Sequence, residues 1–390
     1  MKDSQPIQLA FNWEAGVKPR EPGARVDAST ARQAPERPMY GEHLMEELVE
    51  RGNMRAALRQ VRANQGSPGV DAMRVEDLPD FLKAHWPAIK DQLLQGTYQP
   101  QVIKRVEIPK PGSHEPRKLG IPCVIDRLIQ QATLQVLQWR WDPTFSAFSY
   151  GFRPGRSAHQ AVAQAQTYIE QGYRYVVDID LEQFFDRVCH DRLVSRLAER
   201  IRDKRVLKLI RASLQAGILE NGLVTPSREG TPQGSPCSPF LSNVVLDELD
   251  KELEARGLRF CRYADDSNIY VRSARAGARV MASISRFITQ RLKLRVNSAK
   301  SAVDHPWNRS FVGFSFTGGK RPKRRKIAPK ALERFKARVK ALTQRNQGRS
   351  LKQVIPRLST YLRGWLGYFG FCQTPAVLRD LDSWIRHRLR

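Results

Sequence analysis

The chain runs to 390 residues, enough for two or three domains and for a core that needs neither disulfide nor metal staples. Lys and Arg number 66 against 39 Asp and Glu, a formal charge of +27, so a polyanionic partner is expected, nucleic acid before any other. There is no run of about 18 apolar residues and no signal-peptide core in MKDSQPIQLAFNWEAG, which argues against a membrane protein and for a cytoplasmic one. Cys123, Cys189, Cys237, Cys261 and Cys372 are scattered without CxxC or histidine-containing ligand spacing, against both a zinc site and a disulfide framework.

Residues 1–38 mix Pro, Gly, Gln and charge without an apolar period and read as a flexible tail. Helical spacing begins after His43, with Leu44, Met45, Leu48 and Val49, then Met54, Ala57, Leu58 and Val61, and a turn at Arg51-Gly52-Asn53 between them. QGSPGVD (65–71) is a loop, and a helix follows over about 78–95. QVIKRVEIPKPG reads as a half-buried strand with Val102, Ile103, Val106 and Ile108 inward and Lys104, Arg105 and Lys110 outward. VIDRLIQQATLQVLQWRW has helical period. YRYVVDIDLEQFF is a buried strand running into a turn, and helices are expected across 190–218. Composition shifts near Gly318: residues 320–340 hold eleven Lys or Arg against the single Glu333, a basic linker entering a basic helix. Ser350 with Gln353 has the capping-box signature, and Thr374-Pro375 is an N-cap followed by Pro at the first helical position, so two more helices close the chain.

RYADDSNIY raises a chemical question. RFCRYA and SNIYVR are strand-like runs separated by Asp265-Asp266, the pattern of a hairpin whose turn carries two repelling acids. Asp is an ordinary turn residue, and the tetrapeptide alone is a weak signal. It gains weight from VVDIDLEQFFD, where an apolar strand ends in Asp180 and Phe185 follows five residues later. Neighbouring strands in one sheet would bring the three acids together, and such a cluster needs a cation. Oxygen ligands without His or Cys favour Mg²⁺, and two such ions about 3.5–4 Å apart suit an in-line phosphoryl displacement.

DIDLEQFFD, TPQGSPCSP, RYADD, LKLRVNSAKS and FVGFSF stand in the order and spacing of the reverse transcriptase core, which this chain resembles. LGIPCVIDRLIQQA, SYGFRPGRSAHQA and YLRGWLGYFG are specifically similar to bacterial group II intron-encoded reverse transcriptase-maturases, and the resemblance runs from about residue 40 to the C-terminus. It implies an α+β right-hand polymerase: fingers and palm over 39–317, the palm an antiparallel sheet backed by helices, and a three-helix thumb, also the maturase domain X, over 318–390. It implies RNA-directed DNA polymerisation by two-metal transfer of dNTPs onto a primer 3′-OH, with Mg²⁺ as cofactor and Mn²⁺ as a substitute. Intron RNA, an RNA template and a DNA or RNA primer are the implied partners, with roles in splicing and retrohoming. The competing readings are a maturase acting as an RNA-binding splicing factor and a domesticated repair or defence polymerase.

Position by position, the resemblance makes Asp180 and Asp265 the principal metal ligands, with Asp266 supporting and Ile179 or Leu181 adding a backbone carbonyl. Asp178 falls two residues early and is the decoy. Phe185, with Phe184 one residue away, would be the steric gate against a 2′-OH. Gln233 would lie beside the nucleotide, in a motif where Ser235 and Cys237 replace the commoner Gly and Leu. Lys110 and Arg117, with Lys118 as a substitute, would clamp the triphosphate. Lys300 stands where a general acid for pyrophosphate is proposed. Arg153, the Gly313-Phe314 turn and the basic helix face of Lys330, Arg334 and Arg338 would meet nucleic acid. Tyr361, Trp365 and Tyr368 have a spacing found more often in core residues than in base-stacking ones. The chain stops at SWIRHRLR without the His-Asn-His endonuclease of many relatives, which implies either a trimmed protein or a family member lacking the endonuclease, whose priming would then use an existing DNA end.

Overall fold

The computed structural model describes residues 41–109, 116–220, 222–319, 323–344, 348 and 350–389. The expected tail over 1–38, Lys110, and residues 320–322 of the basic stretch lie outside them. The fold opens with α1 (Leu44–Val49) and α2 (Arg51–Asn64). Glu50 separates them, its carboxylate accepting from the Asn53 amide at 3.0 Å. The expected turn residues Arg51-Gly52-Asn53 are therefore the first turn of a capped helix. Next come α3 (Leu78–Gln95), β1 (Ile103–Ile108) and β2 (Arg117–Ile121). Of the four residues expected inward here only Ile103 is buried, and Arg105 shares its face because residues two apart on a strand point the same way.

The middle of the chain supplies α4 (Val124–Trp141), α5 (Ala158–Glu170), β3 (Tyr175–Ile179), α6 (His190–Ala198), α7 (Lys204–Gln215), β4 (Ile218–Glu220) and β5 (Leu223–Thr225). It continues with α8 (Ser238–Ala255), β6 (Arg259–Tyr263), β7 (Asp266–Val271), α9 (Ala274–Phe287), β8 (Ala302–Asp304) and β9 (Phe314–Phe316). Last come β10 (Arg325–Ile327), α10 (Pro329–Leu342), α11 (Leu351–Phe369) and α12 (Pro375–Leu389). The basic stretch before α10 is thus more than a linker, since β10 pairs with β9 across the composition shift. The capping box expected at α11 does not form. Ser350 makes no side-chain cap, and the Gln353 amide bonds instead to the Ser350 carbonyl at 2.9 Å.

Two four-stranded sheets organise the molecule. One has the order β2-β1-β4-β5; the other, β6-β7-β3-β8, is antiparallel throughout. Its register sorts side chains by face. Val177, Ile179, Ile269 and Phe260 share one face and join the large core that includes α4 and α8. Val176, Tyr270 and Cys261 lie on the other, against Ala161, Ala165 and Tyr168 of α5 and the Phe311–Phe316 segment. This second face is apolar at one end only. Asp178, Asp180 and Asp266 occupy the other end, left open where α5 and β9 do not cover it. The last three helices close on a separate core of Phe335, Val339, Leu358, Leu381 and Ile385. Among the described residues no helix is long and apolar enough to cross a membrane.

Candidate active site

The acids are gathered by strand register. Asp178 pairs with Asn268 and Ile179 with Ser267, so continuing the ladder sets Asp180 opposite Asp266. Tyr263 pairs with Asp266, which makes Ala264 and Asp265 the two-residue loop of the β6–β7 hairpin. The turn is one residue earlier than the sequence suggests: Asp265 sits at its tip and Asp266 begins β7. Ala264 has φ +56°, the positive value that strand twist favours in such a loop, and an unfavourable one for an L residue by about 1–2 kcal/mol.

A buried scaffold holds that strained turn. Arg262 is fully buried, and its Nη1 donates to the Ala264 carbonyl at 2.8 Å and to Asn243 Oδ1 at 3.0 Å. Its Nε and Nη2 grip both oxygens of the equally buried Asp250 at 2.7 and 2.6 Å, and Nη2 also meets Ser149 Oγ at 2.7 Å. Gly151 lies directly on the turn: a Cβ there would stand 2.2 Å from the Ala264 nitrogen. None of these residues was singled out from sequence for this role. Arg262 carries the one legible signal, a charge at an inward position, since it shares the face of the buried Phe260.

Crowding shows in the acids' proton affinities. Burial in the cleft, and then the charges of Asp265, Asp178 and Asp180, push Asp266 up to about 7. The strand register holds those charges beside it, with Asp180 facing it from the end of β3 and Asp265 preceding it in the turn. Burial and the Asp180 charge raise Asp265, opposed by the Arg117 and Arg262 charges. Lys300 Nζ stands 3.6 Å from Asp180 Oδ1, and the Asp180 amide donates to Ser301 Oγ at 3.0 Å. The Leu181–Val296 bridge uses the Asp180 carbonyl and the Glu182 amide and leaves the Leu181 carbonyl outside it.

An all-carboxylate cluster whose members repel one another fits a hard divalent cation. Among the described residues, no three such side chains converge on a point that would hold an ion as they stand, so closing on one requires side-chain rotation.

Around the acids, Arg117 and Lys118 alternate across β2. The Arg117 charge acts on Asp265, whereas Lys118 pairs with Glu220 at 3.4 Å and Glu107 at 3.8 Å on the other face. Phe184 is buried core, while Phe185 is half-buried, edge-on to it at 5.3 Å, with its carbonyl accepting from the Thr231 amide at 2.6 Å. Gln233 lines a cleft of about 320 Å³ with Gln183, Asp186, Arg105 and Lys118, and its carbonyl accepts from the Gly120 amide at 2.8 Å. The two departures in TPQGSPCSP have a common partner: Ser235 Oγ bonds to Gln130 Oε1, and Cys237 Sγ to the Gln130 carbonyl at 2.9 Å. They tie this turn to α4.

Two expected nucleic-acid contacts are corrected. Arg153 is buried, with its guanidinium bonded to Asp142, the Ser146 carbonyl and the Ser149 carbonyl, so it braces the loop before α5 rather than facing a partner. Phe314 is fully buried in the α5 core, so its side chain meets the protein's own residues rather than a partner. Beside it Gly313 has φ +82°, and a Cβ on it would meet the Phe369 ring at 3.2 Å. Lys330, Arg334 and Arg338 do share an exposed face of α10. Tyr361 and Trp365 pack on the Phe335 core, and the Tyr368 hydroxyl donates to the Val312 carbonyl at 2.7 Å.

Strand, hairpin acids and flanking basic strand are the constellation of a nucleotidyl-transferring polymerase, and comparison with known proteins makes the class specific. Residues 108–316 match the family described as reverse transcriptase (RNA-dependent DNA polymerase), to which the chain belongs. Residues 332–390 match the group II intron, maturase-specific domain, so its kind is that of the intron-encoded reverse transcriptase/maturases. The protein YkfC of Escherichia coli is 33% identical over 290 residues, 65% of this chain and 75% of YkfC. The group II intron-encoded protein LtrA of Lactococcus lactis is 38% identical over 174 residues, 45% of this chain but only 29% of LtrA. An uncharacterized 91 kDa protein in the cob intron of Schizosaccharomyces pombe is 38% identical over 213 residues, covering 53% and 25%.

Proposed function

We propose that this chain synthesises DNA on an RNA template through the acids at the end of β3 and the β6–β7 hairpin. The observation that carries the reading is the register that sets Asp180 opposite Asp266 with Asp265 at the adjoining tip. In this reading the β6-β7-β3-β8 sheet is the palm, β1 and β2 belong to the fingers, and α10–α12 form the thumb and maturase domain. Asp180 and Asp265 hold Mg²⁺, with Asp266 and the Leu181 carbonyl in support. When bound, the metal supplies the positive charge that makes a primer 3′-OH acidic and offsets charge on the departing pyrophosphate. Arg117 and Lys110 bind the triphosphate, and Gln233 lies along the nucleotide. Lys300 delivers a proton to pyrophosphate from the Asp180 side of the cleft. The exposed Lys330, Arg334 and Arg338 follow the phosphates of intron RNA or of the template-primer duplex, where shape and backbone charge are read. The protein acts as a cytoplasmic nucleoprotein in splicing and mobility.

The test is extension of a DNA primer on an RNA template with dNTPs. Extension should require Mg²⁺ and stop on its chelation. No extension in Mg²⁺ or Mn²⁺, with tight intron RNA binding retained, would leave a splicing factor in place of a polymerase. Phe185→Ala should raise the kcat/KM for rNTPs relative to dNTPs by at least about tenfold, because a removed ring no longer excludes the 2′-OH. Competition between matched dNTP and rNTP measures it, and an unchanged ratio would assign Phe185 to packing alone.

A further inference from the structure

Four carboxylates stand on or beside the open end of the sheet, yet only three are wanted for metal. Asp178 occupies the same face of β3 as Asp180, between Asn268 of β7 and Ala302 of β8. Its charge reaches Asp266 along with those of Asp180 and Asp265. Left alone, a carboxylate so placed would compete for any cation the others gather.

It is not left alone. Arg309, 131 positions along the chain, brings Nε to 2.9 Å and Nη2 to 2.7 Å from Asp178 Oδ2. The same Nη2 donates to the Lys300 carbonyl at 2.5 Å. The side chains are only 18% and 27% exposed, so solvent and salt screen this pair less than a surface one. Arg309 thus joins the fourth acid to the turn whose Lys300 ammonium approaches Asp180.

We propose that Arg309 is a positioning residue that acts as a fixed internal cation, occupying Asp178 so that divalent ions are gathered by Asp180, Asp265 and Asp266 alone. This rests on the reading of those three as the metal-binding acids. An arginine suits the task because its charge is permanent and its forked donors serve carboxylate and carbonyl together. A divalent ion drawn to Asp178 would sit toward the middle of the sheet, away from the hairpin tip.

The experiment is a double-mutant cycle of Arg309→Gln, Asp178→Asn and both together, read in two ways. Mn²⁺ binding to the nucleic-acid-free protein is followed by the electron paramagnetic resonance of the free ion, and primer extension is followed against Mg²⁺ concentration. Arg309→Gln should bind Mn²⁺ at least tenfold more tightly or take up an additional equivalent. It should lose at least tenfold in kcat with little change in KM for dNTP. Adding Asp178→Asn should return Mn²⁺ binding to that of the parent and recover most of kcat. Unaltered Mn²⁺ binding in Arg309→Gln, or failure of Asp178→Asn to reverse the change, would overturn the proposal, the latter leaving Arg309 as a simple tie to the Lys300 turn. Should Arg309→Gln not fold, Arg309→Lys keeps the charge and must bind Mn²⁺ as the parent does; tighter binding there would equally overturn it. If instead Asp265→Asn leaves the parent's Mn²⁺ binding untouched, the three-acid reading has failed, a result distinct from these.

Discussion

Asp265→Asn should lower the single-turnover rate of primer extension by at least about 10³-fold, since a lost metal ligand forfeits several kcal/mol of charge stabilisation in the transition state. Stability should move the other way. In metal-free protein Asp265 contributes repulsion to a cluster already strained by like charge, and its removal relieves Asp266 most, since the Asp265 charge acts on it more strongly than any other. The sign depends on pH. A carboxylate raised to about 7 in the fold holds its proton more tightly folded than unfolded, so its contribution to stability falls as pH rises from the ordinary carboxylate range through 7. The gain from Asp265→Asn should therefore be larger at pH 8, where Asp266 is ionised, than at pH 5. Melting in EDTA at the two pH values, beside rapid-quench extension, measures both effects. A melting temperature that falls together with the rate would mean that Asp265 supports the hairpin rather than a cation.

Much of this arrangement was legible from sequence because its determinants are local. The apolar run before Asp180 and the two runs flanking Asp265 announce strands, and the order of motifs announces their company. What sequence could not supply was partnership across long separations. Arg153 looks like an exposed base in a glycine-rich loop until Asp142 and two carbonyls enclose it. Phe314 looks like part of a nucleic-acid contact until α5 and the end of α11 cover it. The hairpin was displaced by one residue because Asp is as good a turn former as Ala is a poor one, and only the Tyr263–Asp266 pair fixes the register. Arg117 and Lys118 stand as alternative clamps in the sequence, and which of them faces the acids is set only when β1 and β4 give Lys118 its glutamates.

Arg262→Met should cost about 3–5 kcal/mol, the largest single loss of stability expected outside the apolar core. The size follows from what stays behind: Asp250, fully buried, loses its only bidentate partner, and burial already pushes its carboxyl up against the Arg262 charge that holds it down. Asn243, Ser149 and the Ala264 carbonyl lose a donor as well. Chemical denaturation gives the loss, and a decrease below about 1 kcal/mol would show that water or rearrangement replaces the guanidinium. The more informative variant adds Asp250→Leu. Replacing a buried ion pair by apolar groups of similar volume is often neutral, so the double variant should regain most of the stability. Its polymerase rate should stay low, because no side chain then holds the Ala264 carbonyl at φ +56° and Asp265 loses its fixed bearing on Asp180. Recovery of both stability and rate would reduce Arg262 to a packing element; recovery of stability alone separates what the ion pair does for the fold from what its remaining hydrogen bond does for the hairpin.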